Sequence, residues 1–275
     1  MHDSIGTADL VIYAVLILPT IYCLFRHARY GILGWAYLVV FCSLRIIGGA
    51  LSISNGQGIA AKIISSVALS PLLLAATGLL HEVRVRGNSH IDLKLEWIVV
   101  LVVHMIVGAG VALTAVGISG ISSTNSSAND MTFIKAGVAL LTFSWVFILI
   151  LAVFTMTLAA YRHTLLFCTV FAVPWIGVRV IYTLVAFTTQ RISLNPITGT
   201  LAVRVVLGLV PELIATLSFL AGGLLDPPQS RRQKYPEHRH RHNVGSDSSS
   251  PLRLNEIPKN RRDSRPRRTS NVGHY

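Results

Sequence analysis

Charge is scarce in this sequence. Only 13% of its 275 residues are Asp, Glu, Lys or Arg, while 52% are hydrophobic; a soluble globular chain carries about a quarter charged residues. Apolar runs of 18 residues or more recur along it, and a helix of about 20 residues crosses the roughly 30 Å hydrocarbon layer of a membrane. An ordinary soluble domain is excluded, and a polytopic membrane protein is expected. Cysteine is scarce too. Cys23, Cys42 and Cys168 all fall inside or at the ends of apolar runs, so no outer-loop disulfide is available. They read as small packing residues, with palmitoylation of Cys23 and Cys168, near the expected cytosolic face, as the alternative.

Complete catalytic patterns are missing as well. An intramembrane metallohydrolase needs His, Asp or Glu ligands on facing helices, yet His104 is the one histidine well inside an apolar run, and it reads as a hydrogen-bonded interior residue. Ser65, Ser66 and Ser70 have no His or Asp base near them in sequence, as a nucleophile would require; they are expected to bond backbone carbonyls around Pro71. The last span holds no lysine for a retinal Schiff base, and the Asp-Arg-Tyr and Asn-Pro-x-x-Tyr signatures of rhodopsin-like receptors are missing, His81-Glu82-Val83-Arg84 being only a loose analogue. No glycine-rich phosphate loop occurs. The expectation is a non-enzymatic protein without cofactor or metal.

What is present is a set of seven expected spans, at about residues 9–25, 32–54, 59–80, 97–118, 132–158, 165–188 and 201–221. The connections after spans one, three and five carry Arg26, Arg29, Arg84, Arg86, Lys94 and Arg162; the opposite ones carry Arg191, with Lys62 and Lys135 just inside their spans. Basic loops stay in the cytosol, so the N-terminus is expected outside and the C-terminus inside. Asp3 and Asp9, placed before the first span, contribute little to this. The sequon at Asn125-Ser126-Ser127 falls in a Ser/Asn-rich loop that this threading puts outside, where it marks Asn125 for glycosylation. Lipid leaves no backbone group unpaired, so the spans are helices. Their small residues, among them Gly48, Gly49, Gly108, Gly110, Gly117, Gly120, Gly222 and Gly223, suit close helix packing.

Against this background the stretch "RVVLGLVPEL", Arg204 to Leu213, stands out for placing a cation, a proline and a carboxylate inside an apolar run. At about 1.5 Å rise per residue, Arg204 sits roughly 5 Å and Glu212 roughly 16 Å below the outer surface, about 80° apart around the axis. Pro211 is expected to kink the helix. Arg45 in "CSLRIIGG" and Arg179 in "PWIGVRVIYT" reach the same outer half, and Lys62 and Lys135 lie at its edge. Each charge costs at least about 2.5–3.5 kcal/mol if it faces lipid at the centre, so all should turn inward. Three readings stay open. Glu212 bonds Arg45, Arg179 or Arg204 and ties the bundle together; or these residues line an outward-opening cavity for an anionic group; or Glu212 carries protons in coupled transport.

The chain also hints at repetition. Phe25-Arg26-His27 ends span one and Tyr161-Arg162-His163 ends span five; Arg45 and Arg179 follow at similar spacing, then Lys62 with Pro71 and Arg204 with Pro211. Spans 1–3 and 5–7 would then be parallel repeats joined by span four, an arrangement of small-solute transporters.

The remaining segment, 226–275, is polar and rich in Arg, Ser and Pro, and holds twelve of the 24 lysines and arginines, all beyond residue 230. It is expected to be a disordered cytosolic tail. The net charge of +12 therefore points to anionic lipid headgroups rather than nucleic acid. "EHRHRH" (237–242) is a poor metal site, because alternating arginines oppose a cation. Ser264 and Ser270 follow paired arginines, and phosphate there would cancel positive charge and loosen the tail from lipid.

The segments "FRHARYGILGW", "LRIIGG", "SSVALSPLLLAATGLLHE" and "NPITGTLAVRV…VPE" resemble an uncharacterised fungal family of seven-span integral membrane proteins, a domain of unknown function, over about residues 5–225. The resemblance implies the seven-helix fold and a fungal membrane, and no activity. Together these observations divide the chain into a transmembrane domain, 1–225, and a tail, 226–275. The preferred reading is an all-α, seven-transmembrane-helix bundle in a plasma membrane or endomembrane. It senses a small anionic ligand through Arg45, Arg179 and Arg204, with Glu212 tuning them; capture of a cytosolic partner through loops 81–96 and 159–164 would favour this reading. A small-solute or lipid transporter using the same cavity is the runner-up, and a structural membrane partner the third.

Overall fold

Where lipid offers no hydrogen-bond partners, an apolar run must close its backbone bonds internally. In the computed structural model every described element is accordingly a helix. The structure describes residues 4–28, 31–55, 63–64, 66–87, 93–121, 128–158, 164–189 and 201–226. They belong to one unit, Met1–Lys234; a second unit, Tyr235–Tyr275, and with it most of the expected tail, lies outside the described residues. Among the described residues seven long helices follow in order: α1 (Ser4–Arg26), α2 (Ile32–Asn55), α3 (Leu69–Gly87), α4 (Leu93–Ile121), α5 (Ala128–Leu158), α6 (Thr164–Thr189) and α7. The last is α-helical at Leu201–Arg204, π-helical over Val205–Leu209 and α-helical again over Val210–Leu225.

Six of the seven, all but α3, are long and apolar enough to cross a membrane. Helix α3 carries Glu82, Arg84 and Arg86 near its end, and residues 59–62 and 65 of the expected third span lie outside those described. Helix α3 lies against α2, α4, α5 and α6, and from Ala68 to Val83 every residue but Leu74 is buried. A helix sheltered by its neighbours is free to carry His81, Glu82, Arg84 and Arg86. The outer helices show the reverse pattern. Along α1, Val11, Val15, Leu18, Tyr22 and Phe25 recur at helical spacing and are all more than half exposed, a stripe that only an apolar surrounding would solvate.

Glycines set the closest approaches. A Cβ on Gly78 of α3 would lie 2.5 Å from the Gly34 Cα of α2, so these two backbones touch directly. Gly49 of α2 meets the Gly6 carbonyl of α1, and Gly137 of α5 meets the Gly110 carbonyl of α4, in the same manner. Close approach between glycines is how helices associate without a hydrophobic driving force. Gly108 differs: no atom lies within 4 Å of its Cβ position. Six buried hydroxyls are satisfied locally, as Thr20, Thr77, Thr114, Ser144, Thr169 and Thr216 each donate to the carbonyl four residues back, whereas Ser66 Oγ is buried without a partner. Ser70 bonds Val67 three residues back.

Two expectations about helix limits need correction. Helix α1 starts at Ser4, so Asp9 lies inside the first span rather than before it. Helix α3 runs on to Gly87, so residues 81–87, expected as part of a cytosolic loop, are helical and mostly packed. The kink expected at Pro211 takes another form. Val210 N–H bonds the Val205 carbonyl five residues back, and this π-turn supplies the wider winding that a proline without an N–H needs.

Candidate functional site

Two polar nodes interrupt the apolar core, one at each end of the bundle. The first sits where α1 and α7 begin. Glu212 of α7 is fully buried and receives two arginines: Arg179 Nε of α6 donates to its Oε1 at 2.7 Å, and Arg45 of α2 pairs with its Oε2. Arg45 also reaches Asp9 Oδ2 of α1 at 3.4 Å, and Arg179 bonds the Thr183 hydroxyl at 3.0 Å. Aromatic rings flank the guanidinium groups, Tyr13 and Phe41 about Arg45 and Tyr182 about Arg179, at 5.5–6.0 Å, within the range where ring faces attract cations. Glu212 thus joins three helices, and Arg45 ties in a fourth, α1, through Asp9.

Beside this node lies a partly open cavity of about 50 Å³, lined by Ile5, Asp9, Arg45, Arg179, Tyr182, Arg204, Gly208 and Leu209. Its position follows from α7. The π-turn places buried Gly208 on the wall, and a Cβ there would meet nothing within 4 Å. Leaving aside the atoms held in ion pairs, three polar atoms in the lining residues are buried without a hydrogen-bond partner: Asp9 Oδ1, Arg45 Nε and the Tyr182 hydroxyl.

The expected site residues therefore converge. Arg45, Arg179 and Glu212 form one ion-paired cluster, and Arg204 shares the cavity with the two arginines. Lys135 does not join them; it is exposed on α5. Lys62, Asn125, Ser264 and Ser270 lie outside the described residues. Asp9 is the residue that sequence reasoning missed. Its signal was weak, since Ser4-Ile5-Gly6-Thr7-Ala8 before it holds no apolar run; helix α1 nevertheless begins at Ser4 and buries the carboxylate within reach of Arg45.

The second node draws on residues read as part of a loop and as the start of the tail. Glu82 of α3, fully buried, takes His27 Nδ1 at 2.8 Å and Arg86 at 3.1 Å on Oε1, and the Trp35 indole N–H at 3.2 Å on Oε2. His27 Nε2 donates to the Gly223 carbonyl at 3.0 Å, which requires the hydrogen on that nitrogen because a carbonyl only accepts. Arg86 holds Asp226 Oδ2 at 2.8 Å, and Arg26 donates to the Asp226 carbonyl at 2.9 Å. Asp226, the first residue of the expected tail, is thereby fixed to the bundle. Next to this node Arg84 pairs with buried Glu96 of α4 at 2.5 Å. Gly31 makes room for Glu82 and Gly223 for Trp35; a Cβ at either position would lie 2.0–2.2 Å from its neighbour.

Elsewhere, His104 donates Nδ1–H to the Val100 carbonyl at 2.6 Å, as an interior histidine should. Among the described residues no group of three or more His, Cys, Asp and Glu is placed to hold a metal ion, and Cys23, Cys42 and Cys168 are free thiols.

The six long apolar helices, the sheltered helix α3 and the buried charges gathered into two nodes mark a multi-pass membrane protein. The chain belongs to the family described as domain of unknown function DUF7702, which matches residues 1–227. No curated protein and no solved structure matches it.

Proposed function

We propose that the chain is a non-enzymatic, receptor-like sensor. In this reading it is a seven-span bundle with the N-terminus outside and the C-terminus in the cytosol, and it binds a small anionic ligand at the first node. The observation that carries the reading is the cavity, whose wall holds three arginines and one carboxylate. Guanidinium groups outnumber carboxylates on that wall, a lining whose chemistry suits an anionic group, and in a low-dielectric site each such charge weighs far more than in water.

The same helix offers a route for the signal. Ligand at the cavity bears on the π-turn of α7, and from Glu212 to Asp226 that helix runs about 21 Å to the second node. A shift of α7 would pull on Arg86 and Arg26 at the basic end, which the positive-inside rule puts in the cytosol. Between the nodes the core is filled by Leu38, Phe41, Leu72, Leu79 and Phe219, all fully buried. A transporter would have to open this layer, which favours sensing over flux. The tail then lies along anionic headgroups, and phosphate on Ser264 or Ser270 releases it.

The test is thermal unfolding in nanodiscs with acetate, phosphate and sulfate at constant ionic strength. A saturable rise in Tm for at least one anion is expected in the wild type and lost in Gly208→Leu, which fills the cavity. Identical curves for both proteins with every anion would leave the node as a structural clamp. Orientation is tested separately: an endoglycosidase-sensitive mass increment that Asn125→Gln abolishes places loop 119–130 outside, and protease access to the tail from the same side contradicts the threading.

A further inference from the structure

The cavity wall is not uniformly cationic. Asp9 is nine-tenths buried, and Arg45 occupies only its Oδ2, at 3.4 Å; Oδ1 is buried without a hydrogen-bond partner. Tyr182, 6% exposed, likewise leaves its hydroxyl unpaired. Both residues line the cavity. Leaving a buried acceptor unmade is costly, more so for a charged one, so a natural occupant should satisfy it. An anion with no proton to donate, such as acetate or sulfate, cannot, because it brings only acceptors to a carboxylate.

The space narrows the choice. At about 10–15 Å³ for each water-sized site, a cavity of about 50 Å³ takes roughly three to five heavy atoms. That is the size of a two-carbon acid, and the open side allows a longer chain to extend outward.

Resting on the anion reading above, we infer that the ligand is a small carboxylate bearing a hydrogen-bond donor on the adjacent carbon, a 2-hydroxy or 2-amino acid. Its carboxylate meets the arginine side of the cavity, Arg179 and Arg204. The neighbouring hydroxyl or ammonium donates to Asp9 Oδ1. The Tyr182 hydroxyl, both donor and acceptor, bonds whichever group lies next to it. The arrangement is a site of mixed charge that selects against a plain fatty acid or an inorganic anion.

The experiment compares acetate, glycolate and glycine as ligands of the full chain in nanodiscs, with Tm read against concentration. Acetate lacks the donor, glycolate carries a hydroxyl and glycine an ammonium. Glycolate or glycine should reach half-maximal effect at a concentration at least tenfold below that of acetate, and the better of the two identifies the donor. Asp9→Ala should bring both to the level of acetate, a loss of roughly thirtyfold or more if the donor is charged. Tyr182→Phe provides a milder variant that keeps the ring over Arg179; a several-fold weakening is expected. If acetate binds as well as glycolate and glycine in the wild type, the donor requirement is overturned while anion binding stands. If none of the three, nor phosphate or sulfate, shifts the wild type more than Gly208→Leu, both readings fall.

Discussion

Replacing Glu212 by Gln removes one charge and almost no volume, and the first node says what that should cost. Glu212 is fully buried, and both of its arginine partners are about 6% exposed. At roughly 4 Å and an effective dielectric near 20, each pair is worth about 4 kcal/mol of attraction. Two pairs set against the mutual repulsion of Arg45 and Arg179 and the desolvation of all three groups leave less. Breaking a buried pair by removing one partner costs about 3–5 kcal/mol, because the remaining charge is left uncompensated. Here two guanidinium groups are stranded with Asp9 alone nearby, so the loss should fall in that range. For a bundle of this size about 1 kcal/mol corresponds to 2–4 °C, so Tm should drop by roughly 6–20 °C. The assay is thermal unfolding in nanodiscs, run as a double-mutant cycle. Arg179→Gln should cost clearly less in the Glu212→Gln background than in the wild type, with a coupling toward the upper end of about 0.5–3 kcal/mol. Arg204→Gln, about 12 Å from Glu212 along the helix, should combine additively within about 0.5 kcal/mol. An unchanged Tm for Glu212→Gln would refute the argument and show that the node holds its charge for a ligand alone.

Two further outcomes follow from the packing. Gly78→Val places a methyl group against the Gly34 backbone and should lower stability by more than the usual 1–3 kcal/mol or so of overpacking, since backbone cannot move aside like a side chain; Gly108→Leu, with nothing near it, should shift Tm negligibly. Glu82→Gln leaves His27 and Arg86 without their carboxylate. Amide exchange at the end of α7, around Gly223 and Asp226, should accelerate at least tenfold while that around Glu212 changes little; equal acceleration at both places would show that the nodes do not act separately.

The segments by which the chain resembles its family contribute to both nodes, although Asp9, Arg86, Arg179 and Asp226 lie outside them. "FRHARYGILGW" supplies Arg26, His27, Gly31, Gly34 and Trp35, "GLLHE" supplies Gly78 and Glu82, and "LRIIGG" and "VPE" supply Arg45 and Glu212. Sequence reasoning found Arg45, Arg179, Arg204 and Glu212 because a charge in an apolar run has few affordable positions. It missed Asp9 for lack of a helix boundary: polar residues surround the start of α1, and the first turn announces itself weakly. It read Glu82 and Arg86 as part of a loop and Asp226 as the start of the tail, since residues at the end of a span look alike whether they face water or a neighbouring helix. Lys135, also at a span end, faces outward on α5.

Composition alone determined that this chain is built of membrane-type helices, because lipid forbids any unpaired backbone and the apolar runs have the matching length. It also fixed which residues are too costly to face that lipid. The tertiary structure decided everything that depends on azimuth. Most of these helices are apolar all round, so their inward faces leave no periodic trace in the sequence. Only the packing shows that α3 is the sheltered helix, that Arg45 and Arg179 meet on one carboxylate, and that a π-turn opens a cavity beside Gly208. Hydrophobicity is a property each residue carries alone; the partner of a buried charge is settled by which helices lie side by side.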